Sequence, residues 1–152
     1  MVLEENDFVK AVMLSPFNGY RIYLASPYSN KFRHRERWNV EAATWVANFM
    51  ISGGIMVNSP ITHGDAIYEA SLRTGMNLPK DFAFWKKICL WGIESSDILC
   101  ILMLDGWADS VGLNEEIKYA SSLNKPIVEV YPELIPGFIE YMNSWSETFN
   151  KN

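Results

Sequence analysis

The chain has 152 residues, 49% of them hydrophobic, and a formal net charge of −5. That length suits one domain with a sizeable core, and the acidic balance counts against nonspecific binding to nucleic acid or an anionic membrane, though not against a small anionic ligand. No apolar run approaches the roughly eighteen residues of a membrane span, and Glu4, Glu5 and Asp7 stand where a signal peptide would be basic and then apolar, so a cytoplasmic protein is expected.

Cys89 and Cys100 sit inside apolar runs and read as small buried hydrophobes rather than a disulfide pair. Six Trp, seven Tyr and eight Phe imply a large aromatic core or buried contacts between subunits. Residues 1–18 mix acidic and apolar positions, with Phe8, Ala11 and Val12 on one face of a short helix. They form an N-terminal appendage to a domain spanning 19–152.

Tyr20 to Ala25 is the first strand, and Pro27 breaks it. A helix follows with Trp38, Ala42, Trp45, Val46 and Phe49 on one face, stopped by Gly53-Gly54. Arg33, His34, Arg35 and Arg37 crowd its start. A helix N-terminus with guanidinium forks is a ready anion site, so phosphate contact by at least one of the cluster's arginines, with Arg33 and Arg35 as candidates, is one reading and a solvated helix start the other.

Ile55 to Asn58 is the second strand, and Asn58 to Asp65 the loop behind it. His63 and Asp65 in that loop are candidates to touch a substrate. They are not a metal site, because no third or fourth ligand has suitable spacing; neither metal nor cofactor is expected. Ile67 to Arg73 reads as a short helix. Asp81 to Ile93 is another, with Phe82, Trp85, Ile88 and Cys89 inward. Asp97 to Leu104 is a continuous apolar run, as expected of a strand buried on both faces. Pro126 to Val130 is the fourth strand, and Glu133 to Phe149 an amphipathic helix. The fold class is α/β: a single doubly wound three-layer domain with a parallel sheet of four to five strands, Rossmann- or flavodoxin-like.

The loop after the third strand is where a ligand of such a sheet would sit. Asp105 and Trp107 lie in it, and Ser110 or Asp109 caps the helix that begins near Val111. Leu113, Ile117 and Ala120 form that helix's inner stripe. Glu115 falls opposite the stripe and Glu116 at its edge, where a carboxylate is costly unless paired or used.

Ser110-Val-Gly112-Leu-Asn-Glu-Glu116-Ile-Lys-Tyr-Ala120 resembles the nucleophile segment of the nucleoside 2′-deoxyribosyltransferase superfamily. That segment reads small polar residue, any residue, Gly, three residues, Glu, then Ala four further on. The transferases proper usually have Asp at the first position. The related deoxynucleoside 5′-monophosphate N-glycosidases have Ser, as Ser110 is here. Asn124 to Val130 resembles the family's next strand, and Tyr23 in Arg21 to Tyr28 its first, so the likeness runs from Tyr20 to Val130.

The resemblance implies Glu116 as a nucleophile oriented by Tyr23, with Asp105 contacting the base or relaying a proton. Trp107 offers a ring for base stacking or a loop anchor, and Ser26, Ser110 and Gly112 would contact substrate. It implies cleavage of the N-glycosidic bond of a nucleoside or deoxynucleoside 5′-monophosphate through a covalent glycosyl-Glu intermediate, releasing the base to water, with base exchange on free deoxynucleosides as the alternative. The expected partner is a small nucleoside or nucleotide, in a homodimer or higher homo-oligomer. Two departures stand out: Lys118 where the family commonly has Gly, and Ser26-Pro-Tyr-Ser29 in place of a Gly-rich turn. A phosphoribohydrolase and a nonenzymatic nucleotide-binding module are the competing readings.

Overall fold

Two apolar runs, Arg21–Ala25 (β1) and Ile98–Leu102 (β3), form the centre of the sheet in a computed structural model that describes residues 5–151. They pair in parallel, with Tyr23 opposite Leu99. β2 (Met56–Asn58) flanks β1, placing Asn58 opposite Tyr23, and β4 (Ile127–Val130) flanks β3. The four strands are all parallel, in the order β2–β1–β3–β4. The central pair is buried on both faces, which explains its unbroken apolar sequence.

The strand pleat sends alternate residues to opposite faces. Ile22, Leu24, Cys100 and Leu102 share one core with Ala42 and Val46 of α2 (Arg33–Ser52), Leu14 of α1 (Glu5–Leu14) and Phe138 and Met142 of α6 (Phe138–Lys151). Tyr23, Ala25, Leu99 and Ile101 share the other with Ile93 of α4 (Phe82–Glu94) and Leu113 and Ala120 of α5 (Val111–Ser122). The result is a three-layer α/β domain of Rossmann or flavodoxin type. β2 and β3 lie on opposite sides of β1, so the strand order reverses between β1 and β3. A crevice opens at the carboxyl ends of strands at such a point.

Three expectations change. The stretch from Asn58 to Asp65 is helix rather than loop after Ser59: α3 (Pro60–Thr74) starts there, with Ser59 Oγ accepting from Thr62 N at 3.5 Å and proline in the first turn. Both are ordinary helix-start signals, masked in the sequence by Gly64. The last helix begins at Phe138 rather than Glu133, because a short 3₁₀ turn (Pro132–Leu134) and Gly137 at φ 90° intervene. In α1 the buried residue is Leu14. Phe8 and Val12, which share the face read from the sequence, are more than half exposed, so that face does not pack on the domain. Among the described residues no helix is long and apolar enough to cross a membrane.

Candidate active site

A cleft of about 1080 Å³ opens beside the carboxyl ends of β1 and β3. It lies just above the usual range for small-molecule sites, about 300–1,000 Å³. Glu116 lines it from α5 and Tyr23 from β1. Glu116 is 5% exposed and Tyr23 fully buried. The Tyr23 phenol donates a short hydrogen bond to Glu116 Oε2, while Oε1 has no hydrogen-bond partner among the described residues.

Burial pushes the Glu116 carboxyl up to about 7, against the opposing pull of the Tyr23 hydrogen bond. Burial and the adjacent Glu116 charge drive the Tyr23 phenol far above its ordinary value, so it stays protonated and donates. Cys89, from α4, lines the same wall, and burial raises its thiol to about 11. It is a neutral thiol beside the carboxylate, not a thiolate nucleophile.

The α5 N-terminus is built tightly. Gly106 takes φ 87° to turn the chain after Asp105. Ser110 is the N-cap, its Oγ accepting from Leu113 N at 3.3 Å. Asn114 Nδ2 holds the preceding loop through the carbonyls of Ala108, at 2.8 Å, and Ser110, at 2.9 Å. Gly112 lies where a Cβ would meet the Phe82 ring at 3.0 Å, so the helix can approach α4 closely.

Of the residues singled out from sequence, Glu116, Tyr23, Asp105, Ser26, His63, Asp65, Ser110 and Gly112 line the cleft; Arg33, Arg35 and Trp107 do not. Trp107 instead packs half-buried against the core beneath α5. Arg33 lies 3.7 Å from Glu69, and Arg35 reaches Asp105 at 3.4 Å with its guanidinium over the Trp38 ring. The Asp105 side chain is 96% exposed at the rim. His63 and Asp65 sit on the opening turns of α3. Among the described residues no group of acidic, His and Cys side chains could hold a metal.

Asp65 belongs to a buried network. Arg37 clamps it with both guanidinium nitrogens, Nη1 at 2.9 Å from Oδ2, and Tyr28 Oη donates to Oδ1 at 2.7 Å. Burial alone would raise the Asp65 carboxyl, but these hydrogen bonds prevail and hold it below its usual value. Beside it Lys80 pairs with the buried Glu36 and lies over the rings of Tyr28 and Tyr68.

Tyr28, Asn39 and Lys80 line the cleft but were not singled out from sequence. Asn39 was findable. It stands in the α2 stripe of Ala42, Ala43 and Val46, and a polar residue in an apolar stripe is the same signal that marks Glu116.

Comparison with curated proteins finds no match. A family model described as "Domain of unknown function (DUF1937)" matches residues 20–132, from the start of β1 past the end of β4, and its family is associated with the nucleoside 2′-deoxyribosyltransferase-like fold. The chain, with its Tyr23–Glu116 pair inside the matched span, belongs to the DUF1937 family.

Proposed function

We propose that the protein cleaves the N-glycosidic bond of a deoxynucleoside-type substrate, with Glu116 as the nucleophile. The observation that carries this is the buried Glu116 carboxyl in the wall of a cleft of about 1080 Å³, oriented by Tyr23 and with one oxygen unpartnered among the described residues. The ionised carboxylate attacks the anomeric carbon as the bond to the base breaks, and the base leaves with that electron pair and takes up a proton. The resulting glycosyl ester of Glu116 is released by attack of water or of a second base, which restores the carboxylate.

Charge supports an uncharged nucleoside over its 5′-monophosphate. The cleft presents Asp65, Asp81, Asp105, Asp109 and Glu116 against Lys80 and His63. Arg33 faces Glu69 outside it, whereas Arg35 and Arg37 pair with its Asp105 and Asp65 and offset part of that negative charge. The monophosphate reading rests on the α5 N-terminus, a helix end that favours anions, together with Lys80.

The test is base release, followed by chromatography, from deoxynucleosides and their 5′-monophosphates, with and without an acceptor base. Release that needs an acceptor identifies a transferase, and release into water an N-glycosidase. A folded Glu116→Ala protein as active as wild type would remove Glu116 from the chemistry. No turnover of any substrate would leave a nucleotide-binding module as the better reading.

A further inference from the structure

We infer that Ser26 and Asn39 form a subsite in the cleft for a neutral hydroxyl group of the bound ligand. This deepens the glycosidic reading, on which the identification of that hydroxyl with one on the sugar rests.

Ser26 directly follows β1 and is 3% exposed; Asn39, on α2, is 1% exposed. Both line the cleft. Ser26 Oγ and Asn39 Oδ1 are buried polar atoms with no hydrogen-bond partner among the described residues. A fold rarely leaves such atoms unsatisfied, and two on residues lining the cleft point to a group that arrives with the ligand. Neither belongs to the Tyr23–Glu116 pair.

The amide orientation selects that group. Asn39 Nδ2 donates to the Tyr28 carbonyl at 3.3 Å. A carbonyl only accepts, so the amide cannot be turned around without setting two oxygens against each other. The atom left over is therefore the acceptor Oδ1, which needs a donor. Tyr28 lies two residues beyond Ser26, so the same bond ties Asn39 to the loop that carries the Ser26 hydroxyl.

A ligand hydroxyl suits both atoms, because it donates one proton and accepts at its lone pairs. A phosphate dianion offers no proton to Oδ1 and brings charge against it. The neighbouring cations are largely spent, Arg37 through its terminal nitrogens on Asp65, with its buried Nε left over, and Lys80 on Glu36. Ser26 and Asn39 thus act as specificity-determining residues that read the unphosphorylated end of the ligand.

The experiment measures calorimetric binding of 2′-deoxynucleosides, 2′,5′- and 2′,3′-dideoxynucleosides and deoxynucleoside 5′-monophosphates. Glu116→Gln protein prevents turnover, and base release by the wild type runs in parallel. Ser26→Ala removes only an unpartnered hydroxyl, so its melting temperature is expected to match or exceed the parent. Its affinity for the nucleoside is expected to fall by about fivefold or more. One dideoxy analogue should bind parent and variant equally, which identifies the hydroxyl. Asn39→Ala should weaken the same ligands, and its Tyr28 bond makes Ser26→Ala the cleaner probe.

Base release with affinities unmoved by either substitution would overturn the subsite and leave the glycosidic reading standing. Nucleoside binding that depends on Ser26, without base release, would support the subsite and sink the glycosidic reading. Tighter binding of monophosphates than of nucleosides, or no binding of any of them, would overturn the subsite.

Discussion

Tyr23 on β1 and Glu116 on α5 are 93 residues apart in sequence and joined by one hydrogen bond, phenol to Oε2, in the wall of the cleft. The alternation of β1 sends Tyr23 towards the layer that α5 occupies, and the α5 stripe brings Glu116 to meet it. The bond holds the carboxylate with Oε1 uncommitted. It also stabilises the ionised form in a place where burial opposes it.

If Glu116 must be ionised to attack, activity follows its titration. With the carboxyl at about 7, kcat/KM should fall about tenfold per pH unit on the acid side and level off above pH 7. Tyr23→Phe removes the group that lowers this value. Its pH–rate curve should therefore move to higher pH, with less activity at neutrality. A profile flat between pH 5 and 8, or unmoved in Tyr23→Phe, would separate Glu116 from the rate.

The same carboxyl costs stability when it ionises. Its folded value lies above the ordinary 4.5, so the folded state holds the proton more tightly than the unfolded chain. Stability from this group is full below about pH 4.5 and is lost as pH rises through about 7. At about 1.4 kcal/mol per pH unit, the loss amounts to about 3 kcal/mol. Glu116→Gln cannot ionise, so it should gain on the wild type by that order between pH 4.5 and 8 in urea unfolding. A constant difference across the range would mean the carboxyl is not raised.

Hydrophobic periodicity makes the inward position of Glu116 legible, while its pairing with Tyr23 is implied only by the family resemblance. Glu116 is 5% exposed, whereas its neighbour Glu115 has a side chain 44% exposed, as one step of about 100° around a helix requires. The β3 run and the Ser110 cap are readable for similarly local reasons. The fate of the Arg cluster is not. Arg33 and Arg37 face carboxylates on α3, and Arg35 one beyond β3, and no local pattern announces a partner from another element. Trp107 misleads because a loop aromatic reads alike whether it turns to the cleft or the core.

The Arg37–Asp65–Tyr28 cluster should govern acid stability. Asp65 has a lowered carboxyl, so its contribution is present above its ordinary value and lost as pH falls towards the folded value. Asp65→Asn leaves the Arg37 guanidinium, whose side chain is 15% exposed, with only Glu69 at 3.5 Å. Breaking a buried pair from one side is costly, and a loss of about 2–4 kcal/mol at pH 7 is expected by urea unfolding. The variant should close part of that gap as the pH drops below 4. A loss under about 0.5 kcal/mol would mark the cluster as energetically idle.

Gly92 on α4 sets where the Tyr23 ring lies. A Cβ there would stand 2.8 Å from Tyr23 Cε2 and 2.8 Å from Asn58 Nδ2. Replacing a helical glycine by alanine normally gains about 1 kcal/mol, whereas forcing a methyl into a filled core costs about 1–3 kcal/mol. The exposed Asn58 amide can give way, but the Tyr23 ring is fully buried, so the cost should prevail and Gly92→Ala should lose about 1 kcal/mol. The larger effect should fall on activity. A displaced ring cannot keep its phenol on Glu116 Oε2, so the variant should show the raised pH–rate midpoint of Tyr23→Phe while retaining the phenol. Gly112→Ala is the control: its contact is with the partly exposed Phe82 ring at 3.0 Å, which can give way. It should leave that midpoint in place. Equal midpoints in wild type and Gly92→Ala would show that the ring does not need the room this glycine leaves.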